Sequence, residues 1–395
     1  MNLTPQTVLN RGVAQILPGT QTLLETMESK KITVYLGIDP TGSFLTLGHS
    51  IGLRKLQQFA DLGHKAILLI GNGTVRIGDP TGRDASRPTL TDEMIVENFK
   101  SWKAQASKIL DFSKIEIRYN GDWLDKLTYV DLIKLMATTT TQQLLERDMF
   151  QERMKKGLPI HGHEMLYPLL QGYDSVVMDV DLEIGGTDQT FNMLMGRQLQ
   201  RIYNNKEKWV LSTPIINGTD GRKMSKSFGN FIAITEEPND MYGKLMRISD
   251  EMILEYFTVL TDVSDERIAA ISQELSSGVN PMQFKKELAF TITQMYHSEE
   301  LAQQAAQNFE KTVQQNEIPS DIPELAIEAG TQLLTVLKSA FPDESMTNLR
   351  RLLEQKAVEL MPTGERPDDG TLAIDPTTTH VIRLGKRRFV KLVAS

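Results

Sequence analysis

Five times in the first 215 residues a short apolar run ends in a loop rich in glycine and aspartate. The runs at 32–35, 66–70, 115–119, 182–184 and 209–211 are built of β-branched and aliphatic side chains, which suit buried strands. After the first run, Gly37, Asp39, Pro40, Thr41 and Gly42 break the chain. Leu47, Ile51, Leu53, Leu56 and Phe59 then recur at helical spacing until Gly63 stops the helix. Strands alternating with helices in this way predict an α/β fold with a mostly parallel, Rossmann-like sheet. Ligands bind such sheets beyond the carboxyl ends of the strands, so four of the loops are expected to converge on one crevice.

The remaining chain has a different texture. Residues 1–30 read as two short helices separated at Pro18-Gly19, and 130–172 as a mainly helical insertion interrupted at Gly157-Leu158-Pro159. From 236 onward strand signals vanish, and helical periods follow at 241–248, 252–260, 265–275, 281–295 and 299–313. A polar stretch at 314–323 reads as a linker before one more short helix. The end of the chain, 345–395, carries a helix around Leu349, Leu352 and Leu353. A turn-rich segment and a hairpin about Gly385 follow, an α+β pattern. The expected division is 1–235, 236–335 as an all-α domain, and 345–395 as a small module.

Composition excludes several function classes. There is no cysteine, which removes disulfides, thiolate nucleophiles and cysteine-ligated metal and is compatible with a reducing cytoplasm. No apolar run of about 18 residues is present, so no membrane span is expected. The N-terminus lacks the basic, apolar and small-residue succession of a secretory signal. A net charge of −8 argues against wholesale nucleic-acid binding, yet the last twenty residues hold Arg383, Lys386, Arg387, Arg388 and Lys391 without one acid. That local excess suits a module that meets a polyanion.

Two stretches carry the chemistry. Gly48-His49 opens the helix after the first strand, where unpaired N–H groups and the dipole favour phosphate. Far downstream, Arg222-Lys223-Met224-Ser225-Lys226-Ser227 sets two ammonium groups and two hydroxyls on a glycine-flanked loop after the last strand. Either alone is compatible with an ordinary surface loop. His161-Gly162-His163 lacks a third ligand nearby, so no metal site is expected. The 71–78 loop is no P-loop, since no Gly-Lys-Ser/Thr follows it.

TLGHS and KMSKS, in that order on alternating strands and helices, resemble the signature pair of class I aminoacyl-tRNA synthetases. With YLGIDPTG, IGDPTGR, NGDW, YPLLQGYDS, GGTDQTFN and the basic C-terminal module, the whole chain resembles the bacterial-type tyrosyl-tRNA synthetases. The resemblance implies tyrosine, Mg-ATP and tRNA as substrates, a cytoplasmic homodimer in contact through about 125–165, a signature loop at 222–228, and RNA-binding roles for 236–335 and 345–395. It places Tyr35 and Asp174 on the substrate's phenol. Asp79, Tyr167 and Gln171 would hold the ammonium group, with Thr74, Asn120 and Gln189 completing the tyrosine pocket. Gly37, Asp39, Gly48, Gly186 and Asp188 fall to ATP. Thr41, Thr46, His49, Lys223, Lys226, Arg83 and Arg87 fall to the phosphates, and Arg383, Lys386, Arg387 and Arg388 to tRNA.

Two positions depart from the family pattern. Thr46 stands where many members have the first histidine of their HIGH motif, and Leu36 where a cysteine sometimes reaches the ribose. A tryptophan-specific relative, a non-catalytic RNA-binding paralogue and a small nucleotidyltransferase are the alternatives that the residues leave open.

Overall fold

The computed structural model describes residues 3–81, 91–226, 228–311, 322–385 and 388–395. These form two compact units, Met1–Ser298 and Glu299–Ser395.

In the first unit, strands β1 (Gln15–Leu17), β2 (Thr33–Ile38), β3 (Lys65–Ile70), β4 (Ile115–Tyr119), β5 (Leu182–Gly186) and β6 (Trp209–Thr213) form one sheet in the order β1-β6-β5-β2-β3-β4. All pairings are parallel except that of β1 with β6. From β2 the chain winds outward through β3 to β4; it then returns to β5 and winds the other way to β6. The reversal lies between β2 and β5, whose carboxyl ends splay apart and leave a crevice. Val34, Tyr35 and Leu36 of β2, and Leu182 and Ile184 of β5, are buried, as a sheet covered on both faces requires.

Helices α1 (Pro5–Asn10) and α2 (Thr20–Ser29) flank β1, and α3 (Leu47–Asp61) follows β2. The α3 stripe of Leu47, Ile51, Leu53, Leu56 and Phe59 is almost wholly buried. Each such side chain contributes about 1.5–3 kcal/mol relative to exposure. Helix α4 (Asp92–Ala106) precedes β4. The insertion comprises α5 (Gly121–Leu124), α6 (Tyr129–Met136), α7 (Thr141–Leu145), α8 (Asp148–Lys155) and α9 (Tyr167–Met178); α10 (Thr190–Asn204) follows β5. Leu135 and Leu144 of the insertion share a core with Leu169, Leu170, Met195 and Leu199. Helices α9 and α10 approach closely at Gly172, where an added Cβ would sit 3.0 Å from the Gly196 backbone nitrogen.

Helices α11 (Pro238–Leu245), α12 (Ile253–Leu260), α13 (Asp265–Ser276) and α14 (Pro281–Tyr296) belong to this unit as well. The expected boundary at 235/236 therefore does not coincide with the observed division at 298/299. The buried Arg11 explains the union. Its guanidinium donates to the Phe257, Thr258, Thr261 and Val263 carbonyls and pairs with Asp265 at 3.0 Å, satisfying the open end of α12. Tyr256 adds a bond from its hydroxyl to the Asn217 carbonyl, 2.6 Å.

The second unit opens with α15 (Glu299–Phe309). Strands β7 (Glu324–Ile327), β8 (Thr331–Gln332), β9 (Val358–Met361), β10 (Ala373–Ile374), β11 (Val381–Leu384) and β12 (Arg388–Ala394) follow, with α16 (Leu333–Ala340) and α17 (Met346–Glu354). The sheet order is β7-β12-β11-β9, and Leu333, Leu337, Leu349, Leu353, Leu360, Ile382 and Val390 share one core. The hairpin about Gly385 is present, with that glycine at φ +65°.

Two corrections concern short strands. Residues 15–17 were expected within the first helix, before the Pro18-Gly19 break, but form an edge strand, Ile16 opposite Leu211. Residues 324–327 were expected to follow a linker as helix, yet pair in parallel with β12. Runs this short complete no helical period and too little alternation to announce a strand; the neighbouring edge decides them. Most of the expected linker, 314–321 of 314–323, lies outside the described residues.

Candidate active site

The crevice between β2 and β5 is a cavity of about 350 Å³. Tyr35, Gly37, Asp39, Thr41, Thr46, Gly48, His49, Thr74, Asp79, Asn120, Tyr167, Gln171, Asp174, Gly186, Asp188, Gln189 and Lys223 all line it, from both arms of the sheet.

A hydrogen-bonded chain crosses its floor. Tyr167 Oη donates to Asp39 Oδ2 at 2.8 Å, and Thr74 Oγ1 to Asp39 Oδ1 at 2.8 Å. Asn120 Nδ2 bonds Thr74 Oγ1 at 3.0 Å and Asp174 Oδ2 at 3.1 Å; Trp123 Nε1 holds Asp174 Oδ1 at 2.8 Å. Gly71 makes this chain possible, since an added Cβ would collide with the Asp39 carboxylate. Asp174 is buried on α9, and burial pushes its carboxyl well above the usual range, with Glu183 and Asp39 acting in the same sense. The Asn120 and Trp123 N–H groups oppose that shift and favour the ionised acceptor. Tyr35 is fully buried on β2, its hydroxyl 2.9 Å from Ser175 Oγ, and burial with nearby Glu183 and Asp174 pushes the phenol upward.

The residues expected at the ammonium group face different neighbours. Tyr167 bonds Asp39. Gln171 Nε2 donates to Glu183 Oε1 at 3.0 Å, and Asp79 Oδ2 accepts from Gln189 Nε2 at 2.7 Å. Asn192 Nδ2 donates to the side-chain oxygens Gln171 Oε1 and Gln189 Oε1, 3.0 Å from each. Asp79 Oδ1 is held by Thr81, whose hydroxyl also accepts from Arg147 at 2.8 Å.

At the mouth, Thr46 caps α3. The His49 ring nitrogen Nδ1 accepts from the Thr46 backbone N–H at 3.1 Å and lies 2.8 Å from its hydroxyl. An Nδ1 that accepts leaves the ring proton on Nε2. Burial, helped by the Lys226 charge, lowers His49 to about 4, so the ring is a neutral donor at physiological pH. Lys223 pairs with Asp188 at 2.9 Å. Lys226 donates to the Phe44 carbonyl at 2.7 Å and lies 4.2 Å from the Phe44 ring centre. Arg83, Arg87 and Ser227 lie outside the described residues.

In the second unit, Arg383 pairs with Glu359 at 2.9 Å and Arg388 with Glu344 at 2.5 Å. Both face carboxylates of their own unit. Lys386 and Arg387 lie outside the described residues.

Sequence reasoning missed Trp123, Ser175, Glu183, Asn192 and Lys208. One signal was available: Glu183 interrupts an otherwise apolar strand, where an acid must find a buried partner. Its partner, Lys208, is fully buried with it.

The chain matches the family of class I tRNA synthetases (W and Y) over residues 27–314. It is 43% identical to a tyrosine--tRNA ligase of Thermotoga maritima over 387 residues, 98% of this chain and 96% of that one. A tyrosine--tRNA ligase of Francisella tularensis is 40% identical over 98% of this chain and 97% of its own length. Among solved structures, the Archaeoglobus fulgidus tyrosyl-tRNA synthetase complexed with L-tyrosine shares the fold at TM-score 0.63. It is 22% identical and covers 76% of this chain and 98% of its own.

Proposed function

The chain belongs to the class I tRNA synthetases of the tryptophan and tyrosine group, and from that premise we propose how its residues divide the work of a tyrosine--tRNA ligase. The reaction has two steps. The tyrosine carboxylate attacks the α-phosphorus of ATP, forming tyrosyl-adenylate and releasing pyrophosphate. A terminal ribose hydroxyl of the tRNA then takes the tyrosyl group and AMP departs.

Asp174 accepts a hydrogen bond from the substrate's phenolic hydroxyl and Tyr35 supplies the complementary bond; the buried, doubly held Asp174 carboxylate carries this assignment. A site that hydrogen-bonds a hydroxyl rejects the analogue lacking it, behaviour for which this enzyme family is the standard example. Asp79, Tyr167 and Gln171 hold the ammonium group, with Gln189 bonded to Asp79, and Thr74 and Asn120 complete the tyrosine pocket through their bonds to Asp39 and Asp174. Gly37, Asp39, Gly48, Gly186 and Asp188 receive the nucleotide. Thr41, Thr46, neutral His49, Lys223 and Lys226, with Arg83 and Arg87, stabilise charge building on the pyrophosphate. Mg²⁺ enters as part of the ATP substrate, bound mainly through its phosphates.

The insertion exposes Tyr129, Val130, Ile133, Met136 and Met154, an apolar set that suits a second copy of the chain and supports a homodimer. Helices of 236–335 and the 345–395 module serve tRNA, with Arg383, Lys386, Arg387 and Arg388 toward phosphates. No described helix is long and apolar enough to cross a membrane, and we place the enzyme in the cytoplasm. Tyrosine-dependent exchange of pyrophosphate into ATP tests the reading. Exchange with tyrosine above phenylalanine and tryptophan supports it, and no exchange with tyrosine overturns it.

A further inference from the structure

Behind the cavity lies a buried charged cluster that the reaction itself does not use. Lys208, immediately before β6, is fully buried. Its ammonium group meets three acceptors: the Glu183 carboxylate, Ser175 Oγ at 2.8 Å and the Met193 carbonyl at 3.1 Å. Three N–H donors match three acceptors, so Ser175 receives a proton from Lys208 and must place its own elsewhere. Tyr35 Oη lies 2.9 Å from Ser175 Oγ, and Glu183 Oε2 is 3.5 Å away. The shorter contact directs the serine proton to Tyr35.

We infer that Ser175, oriented by Lys208, is a positioning residue that fixes Tyr35 as a hydrogen-bond donor toward the substrate's hydroxyl. The inference rests on the reading that Tyr35 and Asp174 meet the phenol. With its oxygen accepting from Ser175, Tyr35 keeps its proton for the cavity it lines. Asp174 already receives the Asn120 and Trp123 N–H groups, which favour its carboxylate form against burial, and that carboxylate accepts a hydrogen bond from the substrate's hydroxyl. The bonds then run in one direction: Lys208 to Ser175, Ser175 to Tyr35, Tyr35 to the phenol oxygen, phenol to Asp174. A hydroxyl both accepts and donates in that slot, whereas an apolar ring leaves two buried partners unpaired.

Glu183 defines what happens without the serine. It already draws on the Tyr35 proton and raises the phenol, while the bond from Ser175 acts in the opposite sense, so without the serine Glu183 competes for that proton unopposed. The fold leaves room for the arrangement at Gly196, where an added Cβ would collide with the Lys208 ammonium group and sit 2.8 Å from Ser175 Oγ.

The test uses the full-length enzyme in pyrophosphate exchange, reading kcat/KM for tyrosine and for phenylalanine. Ser175→Ala is expected to lower the tyrosine-to-phenylalanine ratio about ten-fold. The loss should lie mainly in the KM for tyrosine, with the KM for ATP unchanged. In a Tyr35→Phe background the same substitution should have no further effect, because Ser175 acts through the hydroxyl already removed. A ratio unchanged by Ser175→Ala, or an equal fall in both backgrounds, overturns the inference. If Ser175→Ala does not fold, Ser175→Cys, close in size with a weak S–H donor, reads the same ratio against the same outcomes. If Tyr35→Phe alone leaves the ratio unchanged, the underlying pocket reading fails, and the inference with it.

Discussion

Lys223 and Asp188, both exposed, are joined by a 2.9 Å ion pair at the mouth of the cavity. The residue proposed for the phosphates and one proposed for the nucleotide thus hold each other, and a nucleotide bound as proposed has to separate them. An exposed pair of this kind contributes about 0–1 kcal/mol, so separating it costs little.

Lys223→Ala should therefore leave thermal stability within about 1 kcal/mol of wild type. It should slow adenylate formation by about 100-fold or more, as loss of one charge-stabilising donor does. Pre-steady-state adenylate formation alongside thermal unfolding checks both parts. Equal adenylate rates for variant and wild type would remove Lys223 from the phosphates.

His49, lowered to about 4, should show no titration near 6.5. The sign follows from a folded value below the unfolded one: the unfolded histidine binds its proton first. Stability from the neutral ring is present above about 6.5 and is lost as pH falls toward 4. Histidine-selective NMR of wild type against His49→Gln checks this, and a His49 signal titrating near 6.5 would refute it.

Lys55 is buried on α3, donates to the Val8 and Arg11 carbonyls, and is lowered to about 7 by burial and the nearby Arg11 and Arg54 charges. Between about 7 and the ordinary value near 10.5 the unfolded lysine carries a proton that the folded one has released. Stability from this residue should rise with pH across that window and be flat below it. Lys55→Met should flatten the slope of unfolding free energy between pH 7 and 10, measured by denaturant titration.

Gly196→Ala should destabilise the fold by about 1–3 kcal/mol, because its methyl group meets the Lys208 ammonium and Ser175 in a fully packed interior. Exposed Ser276→Ala on α13 serves as the control and should fall within about 0.5 kcal/mol of wild type. Chemical denaturation of the three proteins is sufficient.

Truncation after Ser298 follows the observed division of units, whereas truncation after Pro342 cuts the second unit through its core between α16 and α17. The first should retain tyrosine-dependent exchange and lose tRNA charging. The second should leave an exposed apolar remnant and aggregate. Exchange, charging and light scattering distinguish the two.

The parallel sheet was legible because each strand ends in glycine and aspartate and each α/β helix carries an unbroken apolar stripe. The residues of the cavity were legible through motifs, since TLGHS, YPLLQGYDS, GGTDQ and KMSKS each deliver lining residues. Partnerships were not. Nothing in the spacing of Tyr167 and Asp39, 128 positions apart, signals a shared hydrogen bond. In the sequence Thr46 reads as a phosphate-site residue that departs from the family pattern, while its role as cap of α3 and partner of His49 depends on geometry. The helices after 236 showed their period clearly, but Arg11, which binds α12 to the N-terminal segment, reads as an ordinary surface cation until its five partners are seen.

The bonds from Asp174 through Asn120, Thr74 and Asp39 to Tyr167 cross the cavity floor without a break. Under the proposed assignment, an amino acid lies against one part and a nucleotide against another, and the two share the same set of donors and acceptors. Their affinities are then bound by heterotropic linkage: the factor by which one ligand alters the other's dissociation constant is identical in both directions. The order of filling is therefore a matter of rates and concentrations, and a substitution at Thr74 or Asn120 that loosens the floor alters that single factor for both ligands at once.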